Sequence, residues 1–170
     1  MTQNFPVILD LAGRNLCVRS PQRGFSPSDA ECIYPAIQHL ELMYPRFRQW
    51  YFDLVAKEIE SSTRRIFVSR TDERILGIAL AKRGAEKKLC TLWIEPSARS
   101  SGLATSLAAE AFSWMGTNKP LFTVPEERMS EFRGLLTRWD FCETERLVGY
   151  YRKDKVEYVF NGKLKSTLAS

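Results

Sequence analysis

The chain has 170 residues, of which 44% are apolar and 12% aromatic, so we expect one globular domain over residues 1–170. Its formal net charge of +5 comes from lysines and arginines scattered along the chain, which permits a nucleic acid as partner but does not indicate one. No apolar run approaches the ~18 residues of a membrane span and the start lacks the pattern of a secretory signal, so we expect a cytoplasmic protein without membrane contact.

The first third of the chain predicts a strand followed by two helices. The strand lies at 15–20, and the serine-capped segment 26–45 has helical spacing that Pro35 must interrupt or divide. A second helix is predicted over 47–61. Both helices therefore precede the main run of strands.

The middle of the chain predicts an antiparallel meander. Three apolar segments rich in β-branched residues lie at 64–70, 73–84 and 87–96. They are joined by "TDER" and "GAEK", which are short enough for tight turns.

The rest of the chain mixes helices and strands. A helix is predicted over 102–115, a strand over 119–125, a helix over 126–140, and two final strands over 142–153 and 155–162. The complete order is a strand, two helices, three strands, a helix, a strand, a helix and two strands.

The four cysteines do not predict a metal site or a disulfide framework. They lie far apart, no C-x-x-C pair is present, and His39 is the single histidine. We expect reduced thiols that are mostly buried, and no bound metal.

The segment "CTLWIEPSARSSGLATSLAAEAF", residues 90–112, predicts an anion site where a strand turns into a helix. The first amides of a helix lack intrahelical acceptors and concentrate positive potential. Gly102 removes the Cβ that would keep a phosphate away, Ser100 and Ser101 offer hydroxyl donors, and Arg99 offers a positive charge. The turn could hold a pyrophosphate.

Two common phosphate-binding loops are excluded by their spacing. The chain has no G-x-x-x-x-G-K-[ST], and no G-x-G-x-x-G follows a first strand. Taken alone, "SSGLA" is explained equally well as an ordinary helix start.

The segment "LWIEPSARSSGLATSLAAEAF" resembles the acetyl-CoA-binding segment of the GNAT superfamily of N-acetyltransferases. That signature is R/Q-x-x-G-x-G/A, and this chain has Arg99 at its first position, Gly102 at its fourth and Ala104 at its last. The order of elements is also the order of that family. The resemblance implies an α/β (α+β) fold with a mixed, mostly antiparallel central sheet and helices on both faces.

The resemblance implies acetyl-CoA as the acyl donor and a set of residues that bind it. Backbone amides of the turn would bind the CoA pyrophosphate, the preceding strand would pair with the pantetheine arm, and the Ile94 amide would face the thioester carbonyl. The implied cofactor-binding residues are Leu92, Trp93, Ile94, Arg99, Ser100, Ser101, Gly102, Leu103, Ala104 and Thr105.

Direct transfer to an amine requires a base, because an amine with a pKa of ~10 is protonated at neutral pH. Glu95, at the end of the third meander strand, is the candidate base, with Glu86 at the other end of that strand region as an alternative. Exposed glutamates near turns usually serve only solubility.

The general acid departs from the family pattern. The family has a tyrosine in a segment resembling L-Y-x-x-x-G-F, and "LLTRWDF" has Leu136 at the tyrosine position and Asp140 at the glycine position. Tyr150 and Tyr151 are the substitutes, on a strand whose alternation would send one side chain inward and the other outward. Ser130 is a further donor.

The acceptor is left open by the sequence. An aromatic amine, an amino-acid derivative, a peptide terminus and an aminoacyl-nucleic acid all suit the aromatic and basic residues of 33–61 and 143–160. The predicted function is acetyl-CoA-dependent N-acetyl transfer to a primary amine in a ternary complex, by a monomer or homodimer. The alternative is a non-catalytic CoA-binding or regulatory module with a nucleic-acid or protein partner.

Overall fold

The computed structural model describes residues 8–9, 15–16, 18–19, 27–59 and 61–165, with side chains from residue 29 onward. Over these residues the order of the main elements agrees with the sequence prediction. The strands are β1 (Ile8–Leu9), β2 (Asn15–Leu16), β3 (Val18–Arg19), β4 (Arg64–Arg70), β5 (Ile75–Lys82), β6 (Lys88–Ile94), β7 (Phe122–Pro125), β8 (Glu143–Val148) and β9 (Val156–Phe160). The α-helices are α1 (Pro27–Ile37), α2 (Phe47–Trp50), α3 (Ala56–Glu58), α4 (Leu103–Met115) and α5 (Met129–Arg138).

The predicted early helices differ from the observed ones in their ends. Helix α1 contains Pro35 and continues two residues beyond it, and the chain then tightens into a 3-10 helix, Gln38–Leu42. Pro35 therefore does not divide the helix, although the α-helical pattern ends within a turn of it. A π-helical segment, Tyr51–Val55, connects α2 and α3 into one continuous helical run.

The strands form a mixed, mostly antiparallel arrangement, as predicted. The two larger sheets have the orders β3-β4-β5-β6 and β7-β9-β8, β1 pairs with β2 in a third, and the neighbours in all three are antiparallel. The meander β4-β5-β6 is confirmed. A parallel bridge between Lys88 and Leu121 connects the two larger sheets.

Strands β6 and β7 are in contact only near their beginnings within the described ladders. The Leu89 amide donates to the Leu121 carbonyl (3.0 Å), and the Leu121 amide donates to the Lys87 carbonyl (2.9 Å). Beyond this point β6 pairs with β5 and β7 pairs with β9. A gap between their carboxyl-terminal halves results, which we call the β6/β7 opening.

Helices cover both faces of the sheets. On one face, α4 and α5 pack against strand residues that include Leu92 and Ile94, and we call this the α4–α5 face. On the other, α1, the 3-10 helix and the run from α2 to α3 pack against residues that include Trp93, and we call this the α1–α3 face. The alternation of side chains along β6 therefore supplies both cores.

Helix α4 approaches the sheet closely because β5 has a glycine beneath it. A Cβ at Gly77 would lie 2.8 Å from Leu107 Cδ1 and 2.9 Å from Ile94 Cδ1. Only a residue without a side chain permits this approach. Gly77 thereby fixes the beginning of α4 close to the end of β6.

The cysteines are less buried than we expected. Cys32 and Cys142 are exposed, and Cys90 is half-buried, while Cys17 lies outside the described residues. Among the helices that the structure describes, none is long and apolar enough to span a membrane.

Candidate active site

The turn between β6 and α4 has a backbone suited to holding an anion. Ser100 and Gly102 both have positive φ, at 63° and 83°, with Ser101 between them. Left-handed residues within a turn direct backbone amides into a shared concavity. Glycine adopts this conformation without steric cost, which accounts physically for Gly102 at this position.

The first turn of α4 leaves amides available at the same place. The first hydrogen bond into the helix runs from the Ser106 amide to the Gly102 carbonyl (3.1 Å). The amides of Leu103, Ala104 and Thr105 therefore have no helical acceptor. They face the end of the helix where the macrodipole favours negative charge.

A cavity of about 570 Å³ lies in front of this turn, on the α4–α5 face. It extends from the end of β6 across the turn to one side of α5, where Phe132, Gly134 and Leu135 line it. The predicted cofactor-binding residues that line it are Leu92, Ile94, Arg99, Ser100, Gly102, Leu103, Ala104 and Thr105. A volume of this size is typical of small-molecule sites.

Two of the predicted cofactor-binding residues are placed differently. The Trp93 side chain is buried in the α1–α3 face, so only its backbone is on the β6 edge. The Ser101 hydroxyl donates to the Ala98 carbonyl (2.7 Å), which stabilises the turn. These two side chains do not line the cavity described above.

Arginines surround the cavity. The guanidinium of Arg99 lies 3.5 Å from Glu131 on α5, and Arg128 lies 2.8 Å from the same carboxylate. Arg138 donates to the Thr105 hydroxyl (3.3 Å), which holds its side chain against the first turn of α4. Three guanidinium groups and one carboxylate leave a net positive charge around the cavity.

The edge of β6 next to the opening offers backbone groups to a ligand. The Glu95 amide donates to the Leu76 carbonyl of the neighbouring chain segment (2.9 Å). Because backbone groups alternate along a strand, the Ile94 amide and carbonyl point the other way, toward the opening. The Ile94 carbonyl accordingly accepts a long hydrogen bond from Arg99 Nε (3.5 Å).

A second, narrow cavity of about 30 Å³ lies on the α1–α3 face. Tyr44, Thr123 and Arg128 contribute polar groups to its lining. Leu92, Arg128 and Phe132 line both cavities, so the two meet at the β6/β7 opening. The two cavities therefore adjoin each other at these three residues.

Glu157 is a buried carboxyl group next to the second cavity. It lies on β9, is 4% exposed, and accepts a hydrogen bond from the Tyr44 hydroxyl (3.3 Å). Burial raises its pKa to about 7, and hydrogen bonds from Thr123 and Tyr44 oppose that rise. A carboxyl whose pKa is near neutrality can both accept and release a proton under ordinary conditions.

Glu95, the base predicted from the sequence, holds the turn after β6. Its carboxylate accepts hydrogen bonds from the Ser97 amide (2.8 Å) and the Ser97 hydroxyl. These bonds, with the hydroxyl as the largest cause, lower its pKa, which makes the carboxylate a weaker base than an ordinary glutamate. Its catalytic role stays a prediction. The alternative, Glu86, forms an ion pair with Lys82 (3.1 Å).

Tyr150 and Tyr151 do not lie on a strand, contrary to our prediction. Strand β8 ends at Val148, and Gly149 with φ 76° turns the chain away. The two rings contact each other at 4.7 Å between centroids, and the Tyr150 hydroxyl donates to the Lys165 carbonyl (2.9 Å). Tyr151 also packs edge-on against Tyr44 (5.0 Å), which places it at the α1–α3 side of the site.

The segment "LLTRWDF" has no hydroxyl at Leu136, the position at which the family that it resembles has a tyrosine. Leu136 is buried at 6% exposure in the α4–α5 core. Asp140 takes a left-handed conformation (φ 51°) after α5 ends, which is the conformation that a glycine adopts readily. The Phe141 amide then donates back to the Leu136 carbonyl (2.9 Å).

Sequence reasoning missed three residues of this site, Arg128, Arg138 and Glu157, and included Tyr44 only among the aromatic residues of 33–61 that suit an acceptor. Arg138 lies in the segment "LLTRWDF", two residues after Leu136, and no motif in that segment indicates a role for its charge. Glu157 lies in "VEYVF", where a single charged residue among alternating apolar ones indicates a solvent-facing position. Its burial depends on a loop more than a hundred residues earlier in the chain, since Tyr44 covers it.

Comparison with known proteins identifies the fold. No protein-family model matches the sequence, and a search of curated proteins gives no match. A protein assigned to the GNAT family of acetyltransferases, from Desulfovibrio desulfuricans, matches with a TM-score of 0.63 and 17% identity, over 81% of this chain and 94% of that one. A spermidine N-acetyltransferase chimera of Vibrio cholerae SpeG and hSSAT matches with a TM-score of 0.58 and 18% identity, over 81% and 92%.

A third solved structure includes the cosubstrate. It is a protein assigned as a streptothricin acetyltransferase from Bacillus anthracis, in complex with acetyl coenzyme A. It matches with a TM-score of 0.54 and 13% identity, over 63% of this chain and 67% of that one. The chain described here therefore has the fold of the GNAT N-acetyltransferases.

Proposed function

We propose that this chain is an acetyl-CoA-dependent N-acetyltransferase that transfers an acetyl group to a primary amine by direct attack. The observation that supports this most is the meeting of two cavities at the β6/β7 opening, one beside an anion-binding turn and one beside a buried carboxyl. A donor and an acceptor could then be held together in a ternary complex. Such positioning removes much of the entropic cost of a reaction between two molecules.

In this proposal the large cavity holds acetyl-CoA. The amides from Arg99 to Ala104 bind the pyrophosphate, with Thr105 beside it on the first turn of α4 and Arg138 beside it at the end of α5. The exposed edge of β6, from Leu92 through Trp93 to Ile94, pairs with the pantetheine arm. This arrangement uses the free amides and the net positive charge described above.

The Ile94 amide is the proposed donor to the thioester carbonyl. As the amine attacks, negative charge develops on that oxygen, and a donor already in position stabilises it. The thiolate that leaves must be stabilised or protonated, and Tyr150 and Tyr151 are the candidates from the sequence. Tyr151 is the better placed of the two, because its ring contacts Tyr44 beside the second cavity.

A non-catalytic CoA-binding module is the second candidate. The observation that favours it is the buried Leu136, which replaces a tyrosine with a side chain that cannot donate a proton. Such a protein would bind acetyl-CoA as the proposed enzyme does but would not consume it. The two candidates therefore differ in turnover and agree in binding.

Saturating acetyl-CoA should raise the melting temperature of the protein. A ligand that binds only the native state stabilises it by mass action, about 2.7 kcal/mol at a hundredfold excess over its dissociation constant. Differential scanning fluorimetry measures the shift, with NADH as a control ligand that should give none. A folded sample that shows no shift with acetyl-CoA would contradict the assignment of the cavity.

Replacing Arg138 with alanine should weaken acetyl-CoA binding roughly two- to fivefold, because a partly exposed charge contributes up to about 1 kcal/mol. Arg99→Ala should have a similar effect, and both losses should shrink as salt screens the charges. Calorimetric titration at low and high salt provides the measurement. Arg133→Ala is the matched control, since Arg133 is exposed on the same helix but does not line the cavity. Equal effects of Arg133→Ala and Arg138→Ala would remove Arg138 from the site.

Measuring turnover distinguishes an acetyltransferase from a non-catalytic CoA-binding module. The parent protein is incubated with acetyl-CoA and a panel of amines, namely spermidine, tyramine, glycinamide and a peptide with a free N-terminus, and free thiol is measured. We expect thiol release that depends on at least one amine. Tight binding of acetyl-CoA without amine-dependent release would favour the module.

A further inference from the structure

We propose that Tyr44 and Glu157 form a proton relay that takes the proton from the acceptor ammonium on the α1–α3 side of the β6/β7 opening. This inference rests on the proposed function, because the relay serves the amine that attacks the acetyl group. It assigns the proton acceptor to β9, not to the end of β6 where the sequence placed it.

The position of Glu157 is costly for a carboxyl group. It lies on the central strand of the β7-β9-β8 sheet, with Pro125 and Leu147 as its neighbours in register. A buried charged group has to be compensated by hydrogen bonds, and the described ones come from Tyr44 and Thr123. An apolar residue would pack here without that cost, which indicates that the carboxyl has a chemical task.

Tyr44 connects this carboxyl to the second cavity. Its hydroxyl donates to Glu157 (3.3 Å), and its side chain lines the cavity together with Thr123 and Arg128. The backbone around Tyr44 is fixed, because its amide donates to the Leu40 carbonyl (2.9 Å) and its carbonyl accepts from the Phe47 amide (2.8 Å). The hydroxyl is therefore held between the cavity and the carboxyl group.

The second cavity admits only a small group such as an ammonium. Its volume of about 30 Å³ exceeds the ~10–15 Å³ that one water molecule needs. The remainder of an acceptor would have to extend past Tyr44 and Tyr151, and the Tyr151 side chain is 37% exposed. The large cavity lies on the other side of Leu92, so the amine nitrogen would approach the acetyl group through the opening.

The relay carries one net proton from the ammonium to Glu157 through two linked proton transfers. The ammonium N–H bond breaks as that proton bonds to the Tyr44 oxygen, and the original Tyr44 O–H bond breaks as its proton bonds to the Glu157 carboxylate. The neutral amine then forms a C–N bond to the thioester carbonyl carbon. The C–S bond breaks, and the leaving thiolate takes a proton from the Tyr151 hydroxyl, which regains one from the positively charged nitrogen. Glu157 releases its proton to solvent before the next cycle.

The charges around Glu157 suit a proton acceptor that works near neutrality. Lys88 faces it from β6, Tyr151 and Arg152 face it from the β8–β9 connection, and Arg128 faces Tyr44. Cys90 and Glu86 act on Tyr151 from β6 and the turn before it. Burial dominates over the two cations and raises the pKa of Glu157 to about 7. Burial likewise holds the pKa of Tyr44 well above its ordinary value, so Tyr44 conducts the proton without becoming a stable tyrosinate.

The test is a double-mutant cycle in kcat/KM over about pH 6 to pH 10, with the best acceptor of the four-amine panel. Glu157→Gln and Tyr44→Phe should each lower kcat/KM about a hundredfold or more near pH 7, and the double variant should be no worse than either. The parent rate should level off above about pH 7, while the Glu157→Gln rate should keep rising toward the amine pKa of ~10. The acetyl-CoA dissociation constant should not change.

Further variants distinguish the Glu157 carboxylate from other carboxylates of the protein. Glu157→Asp retains a carboxylate one methylene shorter and should recover part of the rate, whereas Glu31→Gln, on the exposed side of α1, should behave as the parent. Additive losses in the cycle, or an unchanged pH profile in Glu157→Gln, would overturn the relay. A change in the pH profile of kcat/KM in Glu95→Gln and not in Glu157→Gln would also overturn the relay, because Glu95 would then be the base. Absence of turnover with every amine in parent protein that binds acetyl-CoA would instead overturn the transfer function itself.

Discussion

Replacing Gly102 with glutamate should lower the affinity for acetyl-CoA at least tenfold, about 1.4 kcal/mol. A Cβ at Gly102 would meet no protein atom within 4 Å, so the new side chain would project into free space at the anion-binding turn. Its carboxylate would occupy the place proposed for phosphate oxygens and repel them. Calorimetric titration with acetyl-CoA measures the loss, and a melting curve of the same sample shows that the protein is folded.

Two control variants separate charge from strain. Gly102 has a φ of 83°, which costs other L-residues roughly 1–2 kcal/mol, so the fold should be weakened by any substitution there. Gly102→Ala carries that strain without the charge, and Gly84→Glu adds the charge in the β5–β6 turn where nothing lies within 4 Å. Only Gly102→Glu should lose most of the binding. A folded Gly102→Glu protein that binds as the parent does would mean that the turn is only a helix start.

Replacing Glu157 with glutamine should stabilise the protein at alkaline pH by up to roughly 3 kcal/mol, at 1.36 kcal/mol per pH unit of pKa change. The folded protein holds a proton on Glu157 up to about pH 7, whereas the unfolded chain loses it near the ordinary value of 4.5. Between these values the folded state binds more protons, so stability falls as pH rises, and the full penalty is present above pH 7. Glutamine cannot ionise and removes that penalty.

Urea unfolding at about pH 4 and about pH 8 measures this difference. The parent and Glu157→Gln proteins should have similar stability at the lower pH and differ at the higher one. Glu31→Gln is the matched control, because that side chain is exposed and its substitution should leave the pH dependence unchanged. A stability difference that is the same at both values would show that Glu157 titrates as an ordinary glutamate.

The elements of the fold could be predicted because their signals are local. The strand predicted at 64–70 has those bounds, since its apolar centre at 66–68 is followed by a tight turn. Helix α4 begins one residue after Gly102, whose left-handed conformation ends the preceding turn. Such features depend on the residues within a few positions of each other.

The end of β8 could not be predicted in the same way. The tyrosines in "GYYRK" have high strand propensity, but Gly149 turns the chain and the two rings pack on each other. Their surroundings come from Tyr44 and from Lys165, both distant along the chain. Tertiary contacts therefore decide the local structure here.

The cofactor side of the site was predictable, and the acceptor side was not. Residues 99–105 form a continuous segment with a recognisable motif, and all of them except Ser101 line the large cavity. The proposed relay joins Tyr44 to Glu157, which are 113 residues apart, and no motif connects them. The burial that raises the pKa of Glu157 is a property of the assembled sheet and loop, which a single sequence does not display.

Transfer of a labelled acetyl group is the most direct test of the proposed activity. The parent protein is incubated with acetyl-CoA labelled in its acetyl carbons and with the amine panel, and the products are analysed by mass spectrometry. We expect the label on the amine nitrogen of one acceptor, in an amount equal to the free thiol released. Acetyl-CoA that binds tightly yet leaves every amine unlabelled, with no thiol released above the amine-free control, would contradict the assignment of this chain as an N-acetyltransferase.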